Sequence, residues 1–177
     1  MRLPLRRTPR LLRNISIALA VLLPGAALAE PSAIYLVRHG EKASIGKDPA
    51  LTPQGHLRAQ HIAAILYRTG IQAIFSTPTA RTLQTAQPLA QQLGLQVAQY
   101  DPALPKALVD QVKALRGPVL VVGHSNTLPE LVRLFGGEPG LDIGDDEYDR
   151  LYQLTPQASG AVRTIILSSP PASAVPP

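Results

Sequence analysis

Cysteine is missing from all 177 residues. Its absence excludes thiolate catalysis and cysteine-ligated zinc, and the fold must hold without disulfides. Also missing is an apolar run long enough to span a bilayer: the stretch 15–23 falls well short of the roughly 20 residues a spanning helix needs, and Pro24-Gly25 ends it. Acidic residues are absent before Glu30, whereas Arg2, Arg6, Arg7, Arg10 and Arg13 all precede it. No internal repeat is present. A chain of this length reads as one domain, since single domains commonly run to about 100 to 200 residues.

The early arginines, the short apolar run and Ala27-Leu28-Ala29 form the pattern of a secretory signal, with small residues where a signal peptidase cuts. Residues 1–29 are expected to be this signal, 30–169 the functional domain and 170–177 a disordered tail; a retained membrane anchor is the alternative. Arg6-Arg7 hints at twin-arginine export, but Pro9 and Arg10 follow where that signal wants apolar residues, which favours general secretion. The formal charge of +5 resides in the signal: without its five arginines, twelve Lys and Arg face twelve Asp and Glu. A neutral domain has no net pull on nucleic acid, so neither a nucleic-acid partner nor a stable membrane span is expected. The expected location is periplasmic or secreted.

Beyond the signal, apolar runs alternate with amphipathic stretches. The run 33–37 reads as a buried strand, and 41–51 as a loop leading to Thr52-Pro53, a cap and first-turn proline for a helix to about residue 68. Leu57, Ile62, Ile65 and Leu66 are expected on one side of that helix. A strand at 73–75 leads to Ser76-Thr77-Pro78, read as a second cap-plus-proline start, with Pro88 expected to kink or divide the helix that Gly94 stops. A third strand is expected at 95–100, a third helix at 104–115, a strand at 119–122, and a helix to about residue 135 opened by a Thr127/Glu130 capping box. Final strands are read near 151–154 and 161–167. The alternation predicts an α/β fold, a three-layer α/β/α sandwich with a mostly parallel central sheet. His39, Ser76 and His124 then fall just past strand ends, on the edge where such sheets collect ligands.

Arg38-His39-Gly40 combines a guanidinium that can grip phosphate, an imidazole that can attack phosphorus and a glycine that lets a substrate approach the backbone. A salt-bridged arginine beside a structural histidine is the plain alternative. Arg81 lies in the first turn of a helix, where a cation opposes the dipole unless an anion is bound nearby. His124 supplies a second imidazole, able as imidazolium to stabilise a phosphoryl oxygen.

These residues resemble the histidine phosphatase superfamily, also called the phosphoglycerate mutase-like family. The resemblance runs through Arg38-His39-Gly40-Glu41, Leu51-Thr52-Pro53-Gln54-Gly55, the stretch 76–86 and Gly123-His124-Ser125, in the family's order. It implies that His39 is the phosphorylated nucleophile, that His124 partners it, and that Arg38 and Arg81 clamp the phosphate. The implied enzyme is a metal-independent phosphomonoester phosphatase working through phosphohistidine, with no cofactor and a small phosphorylated substrate. Charge stabilisation by two arginines and an imidazolium takes the place of a metal.

The proton donor to the leaving group is less defined. One branch of the family uses an Asp directly after the second histidine, where this chain has Ser125; the other uses a Glu in a region where this chain offers Asp101. Asp101 precedes Pro102 and reads equally as a turn-former. Glu41 reads as structural and Glu130 as part of a cap. Asn126 and Ser125 are candidate donors to the phosphate edge, although Asn126 can also cap the following helix. His56 and His61, five apart, do not stack as a metal pair, and the acidic run Asp142, Asp145, Asp146, Glu147 and Asp149 lacks the calcium-loop pattern. Tyr148 in that loop could reach over a substrate. Two other functions are weighed: a phosphoglycerate mutase-like phosphotransferase, disfavoured because only 42 residues separate Arg81 from His124, and a non-catalytic phosphate-binding module, disfavoured by the presence of both histidines.

Overall fold

The computed structural model describes residues 30–171. The signal reading of 1–29 and the part of the tail reading that covers 172–177 lie outside the described residues. Six strands and four helices follow the chain: β1 Ile34–Arg38, α1 Pro53–Leu66, β2 Ala73–Ser76, α2 Ala80–Leu93, β3 Val97–Gln99, α3 Pro105–Lys113, β4 Val119–Gly123, α4 Leu128–Leu134, β5 Arg150–Pro156 and β6 Val162–Ser168. They form one sheet in the order β3-β2-β4-β1-β5-β6. The first four in that order are parallel, and β5 and β6 add an antiparallel hairpin at the β1 edge.

The central strands are apolar on both faces because helices cover both. Every residue of β1 and of β4 is buried. Alternate side chains separate into two cores, as the two-residue period of a strand requires. Ile34, Leu36, Val119 and Val121 meet α3 and α4, through residues such as Leu108, Val112, Leu131 and Val132. Tyr35, Val37, Leu120 and Val122 meet α1 and α2, through Ile62, Leu66, Ala86 and Leu89.

Several local expectations are corrected. On α1 the buried face is Gly55, Arg58, Ala59, Ile62, Ala63 and Leu66, while Leu57 and Ile65 are exposed. Small residues won that face because α2 packs closely against it, and an arginine joined them because it found partners. α2 begins two residues later than the Thr77-Pro78 start, with Thr79 at its N-cap. It runs unbroken through Pro88, whose missing N–H leaves only one ladder bond unmade. The Thr127/Glu130 box is not formed: Thr127 makes no side-chain cap bond, its Oγ1 pairing with the backbone of His124 instead. By contrast, Thr52 Oγ1 accepts from Gly55 N at 3.1 Å, the cap that Thr52-Pro53 implied.

Candidate active site

Register places the two histidines together. β1 and β4 pair in parallel with Arg38 opposite Gly123, so the next residue of each strand leaves the sheet at the same point. His39 N donates to Gly123 O at 3.0 Å, and the rings of His39 and His124 meet edge to face with centroids 5.3 Å apart. β2 lies on the other side of β4, which brings Ser76-Thr77 and the start of α2 to the same edge.

His39 is buried, and its Nδ1 lies 2.8 Å from Gly40 O. A carbonyl only accepts, so Nδ1 carries the proton and Nε2 keeps its lone pair. Burial, then the neighbouring His124, Arg38 and Arg81, hold its pKa down to about 3 against the pull of the Gly40 hydrogen bond. The ring is therefore neutral at physiological pH, with the Nε2 lone pair available.

His124 is lowered to about 4 by burial first, then by Arg81 and Arg38. The expected imidazolium is therefore absent from the free protein, because two cations and a dry setting oppose it. Its Nε2 is 2.9 Å from Thr77 Oγ1, which leaves Nδ1 as the ring's other polar atom. Thr77 is fully buried and bonded in turn to Thr82 Oγ1 at 2.9 Å. Its place before Pro78 suggests a helix cap, but its side chain anchors the second histidine.

Arg38 is 5% exposed. Its Nη1 donates to Gly144 O and Glu147 O, both at 2.8 Å, and its guanidinium lies 4.0 Å from the centroid of the Tyr148 ring. Burial depresses its pKa, opposed by Tyr148, Asp145, Glu147 and Asp146. The acidic loop thus holds Arg38 through its backbone and its field. Tyr148 also comes 6.0 Å from His39, ring to ring.

Arg81 Nη1 faces Asp48 Oδ1 at 3.5 Å, and both Asp48 oxygens accept from Ala80 N at 3.1 and 3.0 Å. An acid from a distant loop supplies the negative charge that the helix N-terminus attracts. Sequence reasoning missed Asp48, since 32 positions separate it from Ala80 and only the fold joins them. Both Arg38 Nε and Arg81 Nε are buried donors without a hydrogen-bond partner. Buried donors are almost always paired in folded proteins, so two orphaned guanidinium N–H groups beside two histidines describe a seat for an anion.

The remaining candidates make other contacts. Gly40 does not open the backbone to a substrate: a Cβ there would lie 2.7 Å from Gly55 O, so its bareness lets α1 approach. Glu41 accepts two hydrogen bonds from Arg58, at 3.0 and 2.6 Å, and Arg58 Nη1 reaches Ser169 O at 2.7 Å. Asp101 lies on an exposed turn after β3, its Oδ1 accepting from Ala103 N at 2.9 Å, the turn-forming geometry. Glu130 is exposed and faces a cleft with Ser125 and Asn126. His61 Nδ1 is 2.9 Å from Pro170 O. Among the described residues no three His, Cys, Asp or Glu side chains form a group able to hold a metal ion, and no helix is long and apolar enough to cross a membrane.

Comparisons with known proteins bear on the family and the fold. Residues 34–105 match the family model of the histidine phosphatase superfamily (branch 1). The chain is 37% identical over 67 residues to 6-phosphofructo-2-kinase/fructose-2,6-bisphosphatase 4 of Rattus norvegicus, covering 34% of this chain and 14% of that protein's length. In fold it resembles a structure named mycobacterial hydrolase 1, with a TM-score of 0.61 at 18% identity, covering 81% of this chain and 99% of the other. It also resembles a phosphoserine phosphatase from Entamoeba histolytica, with a TM-score of 0.57 at 17% identity, covering 78% and 98%. His124 lies beyond the matched segment, and its place beside His39 comes from the sheet register.

Proposed function

We infer that this chain, whose residues 34–105 belong to the histidine phosphatase superfamily (branch 1), is a metal-independent phosphatase that hydrolyses a phosphomonoester through phosphohistidine on His39. The observation that carries this reading is a neutral His39 acted on by two arginines whose buried Nε donors are unpartnered. His39 Nε2 attacks phosphorus in line as the P–O ester bond breaks and the departing oxygen takes up a proton; water then attacks the phosphohistidine, losing a proton to solvent as the P–N bond breaks, and phosphate leaves with His39 restored. Arg38 and Arg81 neutralise the equatorial oxygens, and a bound dianion offsets the burial and the arginine charges that keep His124 unprotonated, so that His124 becomes the cationic partner. The acid role of Asp101 rests on the family resemblance, and the donor role of Asn126 on its place beside His124.

Hydrolysis is favoured over mutase chemistry because the stretch from α2 to β4 holds only β3 and α3, too little for a cap that would exclude water. We place the enzyme outside the cytoplasm, as a periplasmic or secreted protein, on the strength of the signal pattern in residues 1–29.

The test is hydrolysis of an aryl phosphate by the domain starting at Glu30, in EDTA. Turnover is expected to persist in EDTA and to fall at least about a thousandfold in His39→Ala, the scale of losing a covalent nucleophile. Quenched wild-type enzyme should carry an acid-labile phosphoryl group on His39. Full activity in His39→Ala, or label on another residue, rules this mechanism out; phosphate binding without turnover would favour the non-catalytic module.

A further inference from the structure

A cleft of about 370 Å³ opens between the start of α4 and the loop before β5. Asn126, Glu130 and Arg133 line one wall, and Asp142 and Asp145 line the other. Both walls continue segments that build the anion seat. Ser125 and Asn126 follow His124 directly, and Ile143 and Asp145 flank Gly144, whose carbonyl holds Arg38. Through these two chain links the cleft adjoins segments that hold the seat, which makes it a candidate receptacle for the alcohol half of a phosphomonoester.

The charge of the cleft is opposite to that of the seat. Three carboxylates, of Glu130, Asp142 and Asp145, face one guanidinium, Arg133, whereas the seat is built from Arg38 and Arg81. The two ends of a substrate are therefore told apart by sign. A second phosphate or a carboxylate on the alcohol meets like charge, while hydroxyl groups find acceptors in the carboxylates and donors in Arg133 and Asn126. An ammonium group gains direct attraction.

We propose that this cleft receives the leaving group and selects hydroxyl- or amine-bearing alcohols over those carrying a further negative charge, with Glu130 and Asp142 as specificity-determining residues. This rests on the phosphatase reading above. Both side chains stand on exposed surface, so substitution leaves the packed cores untouched. Asp145 is left unaltered in the test because its charge also acts on Arg38.

The experiment compares kcat/KM for three six-carbon phosphates of similar size, at low ionic strength: the amino sugar glucosamine 6-phosphate, the sugar glucose 6-phosphate and the sugar acid 6-phosphogluconate. The order should follow charge, with the amine at least about tenfold above the carboxylate, since like-charge juxtaposition costs a factor of this size or more. Added salt should compress the order, because exposed charges are screened. In Glu130→Gln/Asp142→Asn the amine-to-carboxylate ratio should fall below about threefold, with each single variant between, as expected if each carboxylate contributes separately. A wild-type preference for 6-phosphogluconate, a flat series, failure to cleave any of the three while aryl phosphate is turned over, or an unchanged ratio in the double variant overturns the proposal. Loss of aryl phosphate turnover itself removes the phosphatase reading, and with it this one.

Discussion

At the scale of single residues, the site is defined by protons held back. Both histidines are kept neutral by burial and by the arginines, and Thr77 occupies the Nε2 edge of His124. An arriving dianion cancels the arginine charges that depress His124, so its pKa rises on binding. When the pH lies between the free value of about 4 and the raised bound value, binding must draw in a proton. Sulfate stays a dianion across this range, so any proton taken up belongs to the protein. Calorimetry of sulfate binding near pH 6, in buffers of differing ionisation enthalpy, should therefore report net uptake approaching about one proton, and His124→Gln should abolish it. Uptake that is zero in the wild type would leave His124 neutral in the complex and deny it the cationic role.

Among the elements, the crossing of the loop after β1 over the start of α1 carries the greatest constraint. A Cβ on Gly55 would lie 2.2 Å from Glu41 O, a backbone atom that cannot swing aside. Glu41 is held by the nearly fully buried Arg58, so the loop that carries His39 is fixed between strand and helix. Gly55→Ala should destabilise the domain by about 2 kcal/mol or more, the upper part of the overpacking range. Gly144→Ala, whose new methyl meets open space, should stay within about 0.5 kcal/mol, as surface changes do; urea unfolding of both variants checks the pair. The glycines in Arg38-His39-Gly40 and Pro53-Gln54-Gly55 thus answer one another across the crossing. Their spacing in sequence is visible, but a crossing so close that a Cβ on Gly40 would lie 2.7 Å from Gly55 O is not.

For the molecule as a whole, buried neutral histidines couple stability to pH. In the unfolded chain each protonates near 6.5, while in the fold they resist until about 3 and about 4. The unfolded state therefore binds more protons as pH falls below 6.5. The stability these groups contribute is intact above that value and declines as pH falls towards their folded pKa values, with a slope of up to about 1.4 kcal/mol per pH unit for each histidine. Urea midpoints measured from pH 7 to pH 4 should fall, and the double variant His39→Asn/His124→Gln should fall less steeply. Equal slopes would mean that the histidines do not set the acid limit.

Composition and pattern alone determined the α/β class and the strand and helix order, and singled out Arg38, His39, Arg81 and His124 as candidates. Those features are written in local chemistry: apolar runs, caps, and side chains that suit phosphate. Only the tertiary structure decided that Thr77 anchors His124, that Asp48 caps α2, that the Asp142–Asp149 loop grips Arg38 and that small residues face α2 from α1. Each of these depends on strand register or on chain segments tens of residues apart meeting at one edge of the sheet. Such distances leave no periodic trace in the sequence.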